Sequence, residues 1–449
     1  MDILHHSASR LPSIHFLRHH RRRPFTTSHP RCFTVRSPPV AFFPPSLKSR
    51  VPLMMTFISN LAVSGQASRS RSTKPSTTKS YKRPLTSSRD LAAFALTLSV
   101  YSNPQVKKSL FSSDGRILEK NDQTPVTVAD FGVQALVSLE LGKLFPSIPL
   151  VAEEDSAFLR SNNLANSVLN VVSDKARFRD IPLTQDHVLE AIDRGGKDAF
   201  VFGCEPATYW ILDPIDGTRG FLKGSEALYV VGLALVVAGE IVLGVMGCPN
   251  WVEEGSSQST TEFLEYDNTS GTIMVAHVGC GTWRKRLLDI LNSSASRPND
   301  WTRCLVNACH LVHEARFCIS DSQTWESLPL SCLFDSTTSV ETAGNNQVFL
   351  LPICCGSLCK YLMVASGRAS IFILRARAER VIKVWDHAVG VICVHEAGGE
   401  VTDWEGSQLD IAVDQSERRV IFPSGGILVT NSSLHTQIIG IISSSSSVA

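Results

Sequence analysis

The chain has 449 residues, 43% hydrophobic and 19% charged, ordinary values for a soluble globular protein and enough for two domains or one large one. Its net charge of +1 hides an asymmetry: residues 1–89 hold 16 Lys and Arg against one acid, Asp2, and residues 90–449 hold 27 against 41 acids. An acidic main body excludes a folded part built to hold nucleic acid, and no such partner is expected.

The basic leader, as in "HFLRHHRRRPFTTSHPRCF", is rich in Arg, Ser, His and Pro and nearly free of acids, the composition of an organelle transit peptide. Residues 1–85 are set apart on that ground as a disordered transit segment. Its arginines favour a mitochondrial over a plastid address; the alternative is a basic tail that touches nucleic acid or membrane. Beyond it, "SRDLAAFALTLSVYSN" predicts a helix capped at Ser88. A polar loop, "SSDGRILEKNDQTPVTVAD", leads into a second helix whose apolar spacing runs through Phe131, Leu136, Leu139 and Leu144, with Asp130 in or near its first turn. "SIPLVAEEDS" predicts a short strand ending on acids, residues 157–197 a polar stretch that is helical in part, and "ATYWILD" a buried strand.

"ALYVVGLALVVAGEIVLGVMGC" is long enough to suggest a membrane span. Gly239-Glu240 in its middle favours two buried strands around a turn, so no membrane segment is expected. A boundary near Gly255 then divides an N-terminal α+β subdomain, 86–254, from a C-terminal α/β one, 255–442. The second has strands at "GTIMVAHV", "ARFCIS", "ASIFIL" and "GGILVT" and helices at "GSLCKYLMVAS" and "DHAVGVICVHEA". Gly398-Gly399 ends the latter, and Asn431-Ser432 cap a final helix. Residues 443–449 are expected to be a disordered serine-rich tail. The alternation argues for α/β layers with mixed sheets.

Four acidic clusters sit at element ends: Asp130, Glu153-Glu154, Asp213 with Asp216, and Asp386. In "WILDPIDGTRGFLKG", Pro214 is expected to stop the strand and turn both aspartates to one side. Carboxylates with the Ile215 carbonyl suit Mg²⁺, a hard ion completed by substrate phosphate, and the absence of His and Cys from the motif argues against zinc. Gly217-Thr218 lets the backbone approach an anion, so a phosphate ester held against metal is the chemistry the motif describes. The plain alternative is an Asx turn with exposed acids.

This segment resembles the D-P-I-D-G-T signature of the inositol monophosphatase superfamily of magnesium-dependent, lithium-sensitive phosphatases. "EKNDQTPVTVAD" is similar to that superfamily's segment before its first active-site aspartate, and "LVAEEDS" to its acidic element, with Ala152 and Asp155 as departures. "VWDHAVGVICVHEAGGEVTDWEG" resembles its second signature. Within the superfamily, "TPVTVAD", "RGFLKG" and "MGCPNW" point to the 3'(2'),5'-bisphosphate nucleotidases, of the plant mitochondrial type. The resemblance implies a layered αβαβα sandwich of the inositol monophosphatase and fructose-1,6-bisphosphatase kind, with the active site between two subdomains. It implies removal of the 3'-phosphate of adenosine 3',5'-bisphosphate, with its 5'-phosphosulfate analogue as a second candidate, and inhibition by lithium.

By position, Glu153, Asp213, Ile215, Asp216 and Asp386 would hold two to three Mg²⁺ ions, while Asp130 and Thr218 activate a water. Gly217, Thr218 and Asp386 would face the substrate, with Ser357 and Lys360 on one helix face and Arg375 after the next strand. Lys360 is expected to meet the 5'-phosphate or else to be a solvated surface lysine. The adenine-contacting histidine of the fungal enzymes has no counterpart in "ISDSQTWESLPLS". A small nucleotide bisphosphate is the expected partner, and a monomer the expected state.

His387 is expected to bond structurally, His395 and Cys393 to lie in the core, and Trp385 to anchor Asp386. Twelve cysteines show no C-x-x-C. Cys354, Cys355 and Cys359 invite a redox reading, but free buried thiols are expected. The competing functions are an inositol polyphosphate 1-phosphatase and a non-catalytic nucleotide-binding or redox-sensing module.

Overall fold

The computed structural model describes residues 118–446, apart from 121–124, 176–181, 224–226, 253–270, 288, 290–300, 340, 342–343 and 379. The leader and the helix expected after Ser88 lie outside the described residues. The described chain opens with a short antiparallel ladder, β1 (Leu118–Glu119) on β2 (Pro125–Val126), followed by helix α1 (Val128–Leu144). Thr127 caps α1: its hydroxyl accepts from the Ala129 amide, and Asp130 at the third helical position accepts from the Thr127 amide. Every residue from Val128 to Ser138 is buried, as befits a helix apolar on all sides.

Strands β3 (Leu150–Ala152), β4 (Tyr209–Asp216), β5 (Val230–Val237), β6 (Glu240–Cys248), β7 (Thr272–His277), β8 (Gly281–Arg286) and β9 (Thr302–Cys304) form one sheet in chain order. Only β3 and β4 are parallel; the connection between them carries α2 (Ala157–Ser161), α3 (Ala165–Lys175) and α4 (Gln185–Asp193). Helices α1, α3 and α4 pack together, with α1 lying on β4. A five-residue helix, α5 (Thr218–Leu222), follows β4. The apolar run 227–248 is the β5–β6 hairpin, turned by Ala238 and Gly239, both at positive φ. Among the described residues no helix is long and apolar enough to cross a membrane. The boundary expected near Gly255 lies outside the described residues, and the strands on either side of it, β6 and β7, pair in the same sheet.

The second sheet orders β11 (Asp335–Thr337), β12 (Gln347–Leu350), β10 (Arg316–Ile319), β13 (Ile371–Arg375), β17 (Gly426–Asn431) and β15 (Gly399–Asp403). Its first four strands run parallel and its last two join antiparallel; β14 (Ile382–Lys383) and β16 (Val420–Ile421) pair separately. Helices α6 (Ser357–Ala365) and α7 (Ala388–Glu396) lie between the sheets: α7 packs on β6, β7 and β15, and α6 on β13 and β4–β6. One apolar cluster joins Tyr361, Val389 and Ile392 of these helices to Ala234 and Met246 of the first sheet and Phe372 and Val429 of the second. On the outer face of the second sheet, Leu434, Ile438 and Ile442 of α8 (Ser432–Ser446) pack with Phe317, Ile371 and Leu428. The layers are therefore helix, sheet, helix, sheet, helix: the expected αβαβα sandwich.

Gly390 sits where α7 crosses α6, and a methyl group added there would overlap the Tyr361 ring. Gly390→Ala is expected to destabilise the fold by about 1–3 kcal/mol, measured by urea unfolding. An unchanged midpoint would show that the two helices pack less closely than this.

Two expectations about the C-terminal part are corrected. The serines from 443 belong to the last turn of α8 as far as Ser446, where the hydroxyls of Ser443, Ser444 and Ser445 donate to carbonyls four residues back. The low-complexity look of the segment conceals a helix whose serines satisfy themselves locally. His395, expected in the core, is exposed at the end of α7 and accepts from the Val401 amide; Cys393 is buried as expected.

Candidate active site

In a regular strand, residues three apart point to opposite faces. β4 escapes this through a bulge: Asp213 pairs with Gly232 and Asp216 with Val230, so three steps on β4 match two on β5. Pro214, which has no N–H to give a ladder, occupies the bulge, and it bends the strand where the sequence suggested a stop. The extra residue brings both carboxylates to one place. Ligand oxygens of Asp213, Asp216 and Asp386, the last just ahead of α7, lie within 4.8 Å of one another. Beside Asp386, Trp385 is buried, with the Arg419 guanidinium 5.3 Å from its ring.

The three carboxylates differ in support. Asp216 accepts from the Ser357 amide at 3.1 Å and the Leu358 amide at 2.6 Å. Burial still pushes it up to about 6, against the opposing pull of Lys360 and those amides. Asp213 has a buried oxygen, Oδ1, with no hydrogen-bond partner. Burial, then the charges of Glu153, Asp216, Asp386 and Asp130, hold it well above the usual carboxylate range. Asp386 is raised by burial and then by the charges of Asp216 and Glu153.

Asp130 and Thr218, 88 positions apart, meet across α1 and α5. The Thr218 hydroxyl lies 3.2 Å from Asp130 Oδ1 and 3.3 Å from the Ile215 carbonyl oxygen. The other Asp130 oxygen accepts from the Thr127 amide and hydroxyl at 2.8 and 2.6 Å, so the side chain cannot swing. Burial raises Asp130 to about 6 despite the Thr127 bonds. Gly217, before Thr218, has φ of +86°, the left-handed region, and its Cα lies where a side chain would press on the Gly356 backbone.

Behind β3, Lys120 Nζ lies 2.8 Å from Glu153 and 2.6 Å from Glu154. Burial works against its charge, but the two glutamates outweigh that and hold the ammonium above its ordinary value. Gln134 of α1 locks Glu154 through its backbone, donating to the carbonyl and accepting from the amide. Lys120, Thr127 and Gln134 were not picked out from the sequence. Thr127 had a signal, the T-x-x-D of a capping box; a single lysine or glutamine has none.

The expected substrate residues are only partly together. Ser357 opens α6 beside Asp216. Lys360 is not a surface lysine: it is 2% exposed and donates to the Cys355 and Gly356 carbonyls. Arg375, at the end of β13, donates to the Ser327 carbonyl at 2.6 Å. His387 bonds the Tyr361 hydroxyl at 3.1 Å and is pushed down to about 3 by burial, so it is neutral at physiological pH, in keeping with a structural part. Cys354 and Cys355, expected as free thiols, are joined by a disulfide between neighbours, while Cys359 is free and buried.

The chain matches the inositol monophosphatase family over residues 89–447. It is 65% identical over 341 residues to an Arabidopsis thaliana protein that carries the provisional name mitochondrial 3'(2'),5'-bisphosphate nucleotidase, covering 76% of this chain and 83% of that one. It is 33% identical over 354 residues to 3',5'-bisphosphate nucleotidase 2 of Arabidopsis thaliana, covering 77% of this chain and 92% of that one. Among solved structures, an inositol monophosphatase of Thermotoga maritima aligns with a TM-score of 0.45 and 19% identity over 80% of this chain and 98% of its own. The family match spans both sheets and every acid of the cluster, and the chain belongs to the inositol monophosphatase family.

Proposed function

We propose that this chain is a Mg²⁺-dependent 3'(2'),5'-bisphosphate nucleotidase that hydrolyses the 3'-phosphate of adenosine 3',5'-bisphosphate to give AMP and phosphate. The observation that carries the proposal is the Thr218–Asp130 hydrogen bond of 3.2 Å, placed beside the cluster of Asp213, Asp216 and Asp386. The relatives named above as nucleotidases supply the substrate class.

Members of the family use Mg²⁺, and the donor set fits it: oxygens only, one of them a buried Asp213 oxygen with no partner. Glu153, Asp213, Asp216, Asp386 and the Ile215 carbonyl would hold two to three ions. When bound, they would ease deprotonation of water and offset charge on the phosphate oxygens. The protein's own groups do the rest. The Thr218 hydroxyl has one proton and two acceptors in reach; giving it to Asp130 turns an oxygen lone pair outward to take a proton from water. Thr127 keeps Asp130 aimed during that transfer. The Gly217 and Thr218 amides would cradle the phosphate, with Ser357 and Arg375 toward the nucleotide. The arginine-rich leader together with the relative's name supports a mitochondrial address.

A substrate panel under Mg²⁺ tests this, scored for the phosphate position removed. Adenosine 3',5'-bisphosphate is expected to turn over roughly tenfold or more faster than inositol 1,4-bisphosphate, and millimolar Li⁺ to suppress that activity. The reverse preference would make the chain an inositol polyphosphate 1-phosphatase. Turnover of neither would leave a binding module.

A further inference from the structure

Arg418 and Arg419 are neighbours, and both are buried cations, 2% and 8% exposed. Burying a guanidinium is costly unless its donors are met. Both satisfy their donors with backbone carbonyls and lie near an aromatic ring, but they do so at different places. Arg418 donates to the carbonyls of Gly203, Glu205 and Ala412 and lies 5.9 Å from the Phe202 ring. None of these residues adjoins a group assigned to the candidate site. Arg419 donates to the Ala152 carbonyl at 2.8 Å and the Gly195 carbonyl at 2.6 Å, and its guanidinium lies 5.3 Å from the Trp385 ring. Ala152 comes directly before Glu153, and Trp385 directly before Asp386.

The backbone of Arg419 points to the same place. Its carbonyl accepts from the Val384 amide at 2.9 Å, and the Val384 carbonyl accepts from the His387 and Ala388 amides at 3.1 and 2.9 Å, closing the turn that carries Asp386. Its amide donates to the Asp414 carboxylate at 2.9 Å, which fixes the base of the side chain. On the other side, the Gly195 carbonyl also accepts from the Ala152 amide, and a methyl group on Gly195 would overlap the Ala152 side chain. The end of β3 and the loop after α4 thus pack as one edge, and the planar fork of Arg419 grips both carbonyls of that edge at once. Across 267 positions of sequence, one residue joins the strand end that presents Glu153 to the turn that presents Asp386.

We propose that Arg419 is a positioning residue that sets the spacing between Glu153 and Asp386, acting through the Ala152 carbonyl on one side and the Val384–Trp385 turn on the other. The proposal rests on the reading of Glu153 and Asp386 as Mg²⁺ ligands. Without the guanidinium each ligand keeps its own element, and what is lost is their register across the site, so the loss falls on metal binding.

Calorimetric titration of Mg²⁺ into the substrate-free chain, together with urea unfolding without Mg²⁺, tests it on wild type, Arg419→Met, Arg419→Lys and Arg418→Met. Both methionine variants are expected to unfold at lower urea, since each leaves buried carbonyls without a donor. Only Arg419→Met is expected to raise the Mg²⁺ dissociation constant, by about tenfold or more, the range for a lost outer partner of a metal ligand. Arg418→Met should stay within about twofold of wild type. Arg419→Lys keeps the charge but offers a point donor in place of a fork, and is expected to lie nearer the methionine variant than wild type; it carries the test if the methionine variant does not fold. An unchanged constant in the Arg419 variants, or an equal rise in Arg418→Met, overturns the proposal and leaves Arg419 a packing residue. A wild type that binds no Mg²⁺ would sink the metal reading and this proposal with it. A wild type that binds Mg²⁺ but turns over no bisphosphate would sink the substrate assignment alone, and the titration would still decide this one.

Discussion

Replacing Asp213 with asparagine is expected to lower kcat/KM for adenosine 3',5'-bisphosphate by roughly 10³-fold, and to raise the melting temperature of the same protein measured without Mg²⁺. The first effect follows from removing an anionic ligand from a site where metal-assisted charge stabilisation is worth several kcal/mol, at 1.36 kcal/mol per decade of rate. The second comes from the geometry of the cluster. Asp213 is buried among Glu153, Asp216, Asp386 and Asp130, and its carboxyl is held above the usual range by burial and then by those neighbours. An amide of the same shape removes one of the mutually repelling charges.

The sign with pH can be worked out. A carboxyl whose folded-state pKa is raised contributes stability that is fully present below its unfolded value and lost as pH rises through the folded one. Asp130 and Asp216 have an ordinary value of 3.8 and are raised to about 6 in the fold. The metal-free site therefore loses stability as pH rises from about 4 to above 6. Thermal melts without Mg²⁺ should show little difference between wild type and Asp213→Asn at the acid end of that window, with the variant's advantage growing above it. Mg²⁺ should reverse the order at neutral pH, because it stabilises the wild type by mass action and has lost a ligand in the variant. A variant with full Mg²⁺-dependent activity, or a gap that shrinks as pH rises, would remove Asp213 from the metal site.

The layers and the acidic cluster were legible in the sequence for the same reason. Periodicity in "FGVQALVSLEL" and "ALVVAGEIVLG" marks buried elements, and acids at the ends of such elements need a counter-charge. What escaped was whatever depends on a one-residue detail of backbone or on contacts far apart in sequence. Pro214 in a buried run reads as a strand end; only pairing with β5 reveals a bulge that carries the strand past it. Lys360 reads as a partner for a substrate phosphate or else as a solvated surface lysine, and nothing local announces that two carbonyls and Asp321 lie around its ammonium. Lys120 lies in a polar loop, 33 and 34 positions before the glutamates it bridges. The sheet crossing the expected boundary escaped for a related reason: the stretch around Gly255 is polar and turn-like, but polarity of a connection says nothing about which sheet the next strand joins.

The pair Asp130 and Thr218 separates a catalytic role from a merely structural one most sharply. Asp130→Asn and Thr218→Ala are each expected to lower kcat by about 10²–10⁴-fold, the range of a lost general base. The double variant should be no slower than the worse single one, since the proton path needs both groups and losing either removes all of it. Thr218→Ser keeps the hydroxyl and is expected to recover most of the rate. In all four, the Mg²⁺ concentration for half-maximal activity should move little, because neither side chain is proposed as a ligand. Asp130 itself is held by Thr127 at 2.6 and 2.8 Å whether or not Thr218 is present, so Thr218→Ala leaves the carboxylate in place and tests the relay alone. Rates that multiply in the double variant would mean that the two residues act separately. The 3.2 Å contact between them would then be a packing contact, and the base would have to be sought elsewhere in the cluster.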